Sequence, residues 1–342
     1  MSRVDDVLRA AEALASAPHP IGRLAREAAI RECSLSHAMA DHVFALSCAR
    51  YTRGAVESLV SDERNGMKVA VSLAATVAVA PLRAIALPWL AGAERVEVRG
   101  SSRQSALVEA IAHAFGRDEI AMCETLPADA DLVVAYGSDE TVDALACSLP
   151  SSTRFEGYGH GFGVAWIERD EDPTAVALDV ALHDQRGCLS PLAVFVRGDA
   201  RAFARALHEA LGRLEETLPR GRVDAGEAAA AMQWQGAAAA RCVWSRRGKT
   251  HFVGALEDAA FIASPGLRNV LVCEARDASH VMSLLGDEGA HLTCVGATDA
   301  DLAWPLAGVR VVRAGTMQDP ALDGPEDRRA PRSVRHTMPR RA

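Results

Sequence analysis

Apolar positions recur with two different periods along this chain. At the start the spacing is three to four residues: Val4, Leu8, Ala11 and Leu14 fall on one helical face, and Leu35, Met39, Val43 and Leu46 on another, with Pro18 and Pro20 between the two stretches. Residues 1–60 are therefore expected to be N-terminal helices. From Lys68 the pattern shortens into β-type runs at 68–73, 95–99 and 132–136. Helical spacing separates them, at 82–91 before Gly92, at 105–115, and again after Ser138. Strands that alternate with helices at this distance predict a parallel sheet with helices on both faces. Residues 61–173 are read as one such domain.

A second alternation follows. The helix opening at Pro173 carries Val176, Val180 and His183 on one face, and Gly187 is expected to let the backbone leave it. Leu192, Val194 and Val196 alternate as a strand, Asp199 caps a helix over 200–217, and Pro219-Arg220-Gly221 ends it. Residues 223–240 are alanine-rich and helical. Trp244, Phe252-Val253-Gly254, Asn269-Val270-Leu271-Val272, residues 291–296 and residues 309–312 are further strand pieces. The fold class expected is thus α/β, with two αβ domains and mainly parallel sheets. The second domain spans 174–312, and residues 313–342 form a C-terminal segment with a basic tail.

Composition narrows the function. The chain has 342 residues, 49% of them hydrophobic, enough to bury cores for two domains. Its formal net charge of -8 gives no reason to expect nucleic acid, whose phosphates need clustered Lys and Arg. The eight cysteines include no Cys-x-x-Cys pair, so no metal site and no disulfide framework is expected, and reduced thiols in the cytoplasm fit best. Asp5 and Asp6 stand where a signal peptide would be basic. The apolar stretch 67–90 is interrupted by Lys68, Pro81, Arg83 and Pro88, which argues against a membrane span. Self-association is left open.

Chemistry concentrates at Asp184-Gln185-Arg186-Gly187-Cys188-Leu189-Ser190-Pro191. A cysteine just past a helix end, beside Arg186, is placed to form the thiolate that attacks carbonyl carbon. The plainer reading is a small buried apolar residue, the ordinary role of an unpaired cysteine. Two turns, Gly100-Ser101-Ser102 and Gly137-Ser138, stand between a strand and a helix, where free N–H groups and the positive helix end suit a phosphate. Any αβ protein needs such turns, and no Gly-x-Gly-x-x-Gly follows the first strand. Phe155-Glu156-Gly157-Tyr158-Gly159-His160-Gly161-Phe162-Gly163 lets the backbone come close to a ligand or to another strand.

The cysteine motif resembles that of the acyl-CoA reductases of the bacterial bioluminescence type, a branch of the aldehyde dehydrogenase superfamily. Val133-Val134-Ala135-Tyr136-Gly137-Ser138-Asp139-Glu140-Thr141, the glycine run ending at His160, and Gly315-Thr316-Met317-Gln318-Asp319-Pro320 are similar to that family too, in its order, so the resemblance covers about residues 66 to 325. It implies an aldehyde-dehydrogenase-like fold with a Rossmann-like cofactor domain and a catalytic domain. It also implies reduction of an acyl-CoA or acyl-carrier thioester to an aldehyde, through an acyl-enzyme on Cys188.

By the same resemblance Arg99, Ser101, Ser102, Gly137, Ser138 and Gly157 hold the cofactor, the glycine run is a loop beside the nicotinamide, and His160 is a proton donor near the thiol. Arg99 stands where the family has lysine, and its fork can grip a phosphate, which favours NADP (NADPH). The superfamily's Asn-Val-Pro turn is absent. Thr76-Val77-Ala78 occupies its place, leaving the Thr76 hydroxyl as the second oxyanion donor beside the Cys188 N–H. The rival readings are a catalytically weakened or non-catalytic binding protein, and a thioesterase or acyl transferase using the same thiol.

Overall fold

In the computed structural model, residues 2–60, 66–74, 77–102, 104–168 and 172–322 are described, and they form two units, Met1–His160 joined by Ala321 and Leu322, and Gly161–Pro320.

The first unit opens with α1 (Arg3–Ala15), α2 (Pro20–Glu32), α3 (His37–Cys48) and α4 (Arg53–Glu57). Serine, histidine or threonine at each N-cap accepts a backbone N–H, and Ser2 and Asp5 complete a capping box on α1. Asp6 is fully buried and is held by Arg117 Nε at 2.7 Å, Arg9 Nη2 at 2.9 Å and the Trp89 indole N–H at 3.3 Å. A polar group this buried is costly unless it is paired and hydrogen-bonded. These contacts therefore tie α1 to the helices behind the sheet.

That sheet alternates β1 (Lys68–Ser72), α5 (Ala80–Leu90), β2 (Arg95–Arg99), α6 (Ser105–Ala114), β3 (Ile120–Met122), β4 (Leu132–Tyr136), α7 (Asp139–Ser148) and β5 (Arg154–Tyr158). Its order is β3-β2-β1-β4-β5 and every pairing is parallel. The order reverses direction between β1 and β4, so the crevice at the carboxyl ends of those strands is where a ligand of such a sheet is held.

The second unit runs β6 (Phe162–Ile167), α8 (Pro173–Ala181), β7 (Pro191–Val196), α9 (Ala200–Thr217), α10 (Ala225–Ala239), β8 (Cys242–Arg247), β9 (Phe252–Leu256), β10 (Asn269–Glu274), α11 (Ala278–Leu285), β11 (Leu292–Ala297) and β12 (Arg310–Arg313). The sheet order is β12-β11-β6-β7-β10-β9-β8, parallel except for the β8–β9 pair. Ala200, Ala204, Leu207 and Leu211 repeat at helical spacing along α9 and bury against Val194, Val253 and Val270 of the sheet. Phe195, Leu271, Val281 and Val295 fill the other face.

Several expectations change. The boundary falls after His160 rather than at 173, because β6 pairs with β7 and β11. The glycine run is two strands in different sheets and not one loop. A Cβ at Gly157 would overlap Val142 of α7, and one at Gly163 would come within 2.7 Å of the Leu189 carbonyl, so both glycines make room for close packing. Among the described residues no helix is long and apolar enough to cross a membrane.

Candidate active site

Cys188 sits on a tight turn that leads into a central strand of the second unit. Helix α8 ends at Ala181, and the chain then makes a single turn in which His183, Asp184 and Gln185 all have positive φ, near 53°, 53° and 60°. Gly187 is absent from the positive-φ residues, so the expectation that it releases the helix is corrected: the three preceding non-glycine residues do this. Each such residue costs about 1 kcal/mol or more and persists only where its surroundings over-determine it. The Ser190 N–H then donates to the Gly187 carbonyl at 3.0 Å, closing a turn with Cys188 and Leu189 at its centre. Gly187, Leu189 and Ser190 are buried while Cys188 is exposed.

Three contacts fix this turn from below. The Thr293 hydroxyl on β11 lies 2.9 Å from the Cys188 carbonyl and 3.0 Å from that of Phe162. The Gln185 amide donates to the Pro191 carbonyl at 2.7 Å. The segment Gly315–Gln318 lies against the turn: Met317 is fully buried with Leu189 and Cys294, and the Gln318 amide donates to the Ser190 hydroxyl at 2.9 Å. That segment is held by Asp179 of α8, which accepts the N–H groups of Gly315 at 2.6 Å and Met317 at 2.9 Å. Burial pushes the Asp179 carboxyl up to about 7, against those two donors and Arg310.

Arg186 is otherwise engaged than expected. Its guanidinium makes a two-pronged contact with Glu227, with Nη2 at 3.0 and 3.1 Å from the carboxylate oxygens, and stands 3.6 Å from Asp184. Its charge is thus shared with two carboxylates rather than reserved for the sulfur. Burial raises the thiols of Cys48, Cys123, Cys242, Cys273 and Cys294, which keeps them protonated and unreactive. Cys147 is exposed like Cys188, but it lies within regular helix α7.

In the first unit the candidate cofactor residues gather at the carboxyl ends of the strands. Arg99 and Ser72 are partners across β2 and β1, and the Arg99 guanidinium donates to the Ser72 hydroxyl at 2.9 Å. Gly100 is followed by Ser101 and Ser102, and a Cβ at Gly100 would come within 3.0 Å of the Gln104 carbonyl, so the turn hugs the start of α6. The Leu107 N–H of that helix donates to Glu32 at 3.0 Å. Gly137 and Ser138 open α7, where Ser138 is the N-cap and Asp139 and Glu140 occupy the first turn. The Glu140 carboxyl is lowered chiefly by its hydrogen bond with Ser138. His160 joins this turn, its backbone N–H donating to Asp139 at 2.8 Å.

Resident carboxylates thus already compensate both helix ends, and Arg99 is the cation among these candidates. Arg99, Ser101, Ser102 and Ser138 bring one guanidinium and three hydroxyls to these strand ends, groups that can donate to a phosphate. Thr76 lies outside the described residues. Among the described residues no group of three or more His, Cys, Asp or Glu could hold a metal. The sequence reading missed Thr293, Asp179 and the left-handed residues, since a single buried threonine or aspartate carries no spacing signal.

Solved structures with this architecture include aldehyde dehydrogenases. The NAD-dependent benzaldehyde dehydrogenase of Corynebacterium glutamicum is 15% identical with a TM-score of 0.63, covering 87% of this chain and 76% of that one. The indole-3-acetaldehyde dehydrogenase of P. syringae gives 14% and 0.65, covering 88% and 72%. The NADP-dependent glyceraldehyde-3-phosphate dehydrogenase of Bacillus halodurans gives 15% and 0.60, covering 87% and 74%. The fold is aldehyde dehydrogenase-like.

Residues 94–327 match the acyl-CoA reductase (LuxC) family, and the chain belongs to it. Long-chain acyl-protein thioester reductase 2 of Photobacterium leiognathi is 25% identical over 118 residues, which cover 33% of this chain and 25% of that protein. The match thus spans about a quarter of that relative's length.

Proposed function

We propose that the chain reduces an acyl-CoA or acyl-carrier thioester to an aldehyde, with NADPH as reductant and Cys188 as nucleophile, in the cytoplasm. The observation that carries the proposal is the exposed Cys188 on a turn whose neighbours are buried and hydrogen-bonded. The thiolate attacks the thioester carbonyl, the carrier thiol leaves with a proton, and the acyl group stays on Cys188 as a new thioester. A bound nicotinamide supplies the hydride that releases this acyl group as the aldehyde.

Thr293 keeps the Cys188 carbonyl, and so the turn, in one orientation, while Leu189 and Met317 exclude water beneath it. Arg99 favours NADPH by matching an adenosine phosphate with its fork. Ser101, Ser102, Gly137, Ser138 and Gly157 line the same crevice in the proposal, and His160 returns the carrier's proton. Thr76 is assigned the second oxyanion donor from its place in the sequence.

The test is incubation with acyl-CoAs of short, medium and long chain, following nicotinamide absorbance and the mass of the intact protein. NADPH oxidation together with an acyl adduct on the Cys188 peptide is the expected result. An adduct that hydrolyses without consuming NADPH points instead to a thioesterase or transferase, and the lack of any adduct to a binding protein. Replacing Thr293 by valine, which keeps the shape and removes the hydroxyl, is expected to slow acylation about tenfold by loosening the turn. It also leaves the buried Phe162 carbonyl and the partly buried Cys188 carbonyl without this donor, so chemical denaturation should show a loss of about 1–3 kcal/mol.

A further inference from the structure

We infer that Arg268, in the connection between β9 and β10, is the positioning residue of the nucleophile turn: it selects the left-handed course of His183-Asp184-Gln185 over continuation of helix α8. The inference rests on Cys188 being the nucleophile. Arg268 is 1% exposed and Asp184 is fully buried. Nε donates to Asp184 Oδ1 at 3.0 Å, with Nη2 at 2.8 Å from the same oxygen. Nη1 reaches the Glu215 carboxylate and the Leu218 carbonyl, both at 2.9 Å. The other Asp184 oxygen accepts the Gly221 N–H at 2.9 Å.

The backbones meet as well. Leu267 and Arg268 themselves have φ near 59° and 63°, following Gly266 at 77°, and the Leu267 N–H donates to the Asp184 carbonyl at 3.0 Å. Two left-handed stretches are therefore locked face to face, one of them leading directly to Cys188.

A buried ion pair is a poor stabiliser compared with apolar packing, and its better-attested use is to choose one conformation among competitors. Here a competitor is concrete. L-residues prefer right-handed torsions, so without a restraint residues 182–187 would lengthen α8 and turn Cys188 toward another face. In the left-handed arrangement Asp184 reaches Arg268, and the arginine's planar fork fixes direction as a lysine ammonium does not.

The test is pre-steady-state acetylation of the full chain by p-nitrophenyl acetate, in which Cys188 takes the acetyl group and p-nitrophenolate leaves. Two variants are compared with the wild type. Arg268→Lys keeps the charge and removes the fork. Gly266→Ala keeps every buried charge but sets a Cβ within 3.0 Å of the Gln185 carbonyl, at a φ alanine adopts reluctantly.

A role in folding alone would reduce the burst amplitude, because fewer chains are competent, and leave the rate constant unchanged. Positioning instead slows the chains that do fold: the rate constant falls about tenfold or more in Arg268→Lys and several-fold in Gly266→Ala. Wild-type rate constants in the folded variants overturn the inference while the proposed function stands. A wild-type burst that survives in Cys188→Ser removes the proposed function and this inference with it. Where Arg268→Lys fails to fold, Gly266→Ala decides.

Discussion

Cys188→Ser is expected to abolish the acyl adduct and to lower NADPH-dependent turnover by on the order of 10⁴-fold or more. The size follows from the chemistry of the two atoms. A cysteine has a few per cent thiolate at neutral pH and a strongly nucleophilic sulfur, whereas a serine hydroxyl needs a base to become reactive. The substitution hardly changes shape, and the Cys188 side chain is exposed on a turn defined by its backbone. Folding and cofactor affinity should therefore stay as they were. Stopped-flow NADPH oxidation, intact mass and a binding titration with NADPH separate these effects. If the serine variant turned over thioester at the wild-type rate, the nucleophile would have to be sought elsewhere, with exposed Cys147 the next thiol to examine.

The parts of this structure legible in the sequence are those written as patterns over many residues. Alternation of strands and helices pointed to two mainly parallel sheets, because burial on both faces forces continuous apolar runs into β1, β9 and β10. The cysteine motif and the order of its companions led to the family. What stayed hidden depends on single residues meeting across the chain. Arg268 lies 84 positions from Asp184, and Thr293 lies 105 from Cys188, so no local spacing links them.

The glycine cluster at 157–163 divides between two units, where Gly157 makes a helix-to-strand contact and Gly163 a strand-to-turn contact. Glycine at a close approach looks the same in sequence whether the approaching group is a cofactor or the protein itself. The positive φ of His183, Asp184 and Gln185 was hard to read, because the left-handed tolerance of His and Asp is a weak local signal and the ion pair that holds the turn lies far off in sequence.

Stability should depend on pH through two buried groups that pull in opposite directions. Burial raises Asp179 from 3.8 to about 7, so the folded chain binds a proton there more tightly than the unfolded chain. Its contribution is fully present below pH 3.8 and is lost as pH rises through about 7. Burial, followed by the neighbouring His208 ring, lowers His251 from 6.5 to about 4. Its contribution is present above pH 6.5 and is lost as pH falls through about 4. A tenfold change in proton affinity is worth about 1.4 kcal/mol, which gives roughly 4 kcal/mol for Asp179 and roughly 3 kcal/mol for His251. The two largely cancel between pH 4 and 6.5.

Removing either group should expose the other. His251→Phe is expected to lose stability steadily from pH 4 to 7, and Asp179→Asn to gain it from pH 4 to 6.5, as read from urea midpoints at constant m. The slopes matter here, since Asp179→Asn also gives up one of the acceptors for Gly315 and Met317 and starts from a lower value. Parallel slopes in the two variants would mean that neither group titrates as its surroundings require. Asp179 also holds the segment that covers Leu189 beneath Cys188, so loosening of that segment in Asp179→Asn should slow acylation at a pH where the chain is still folded.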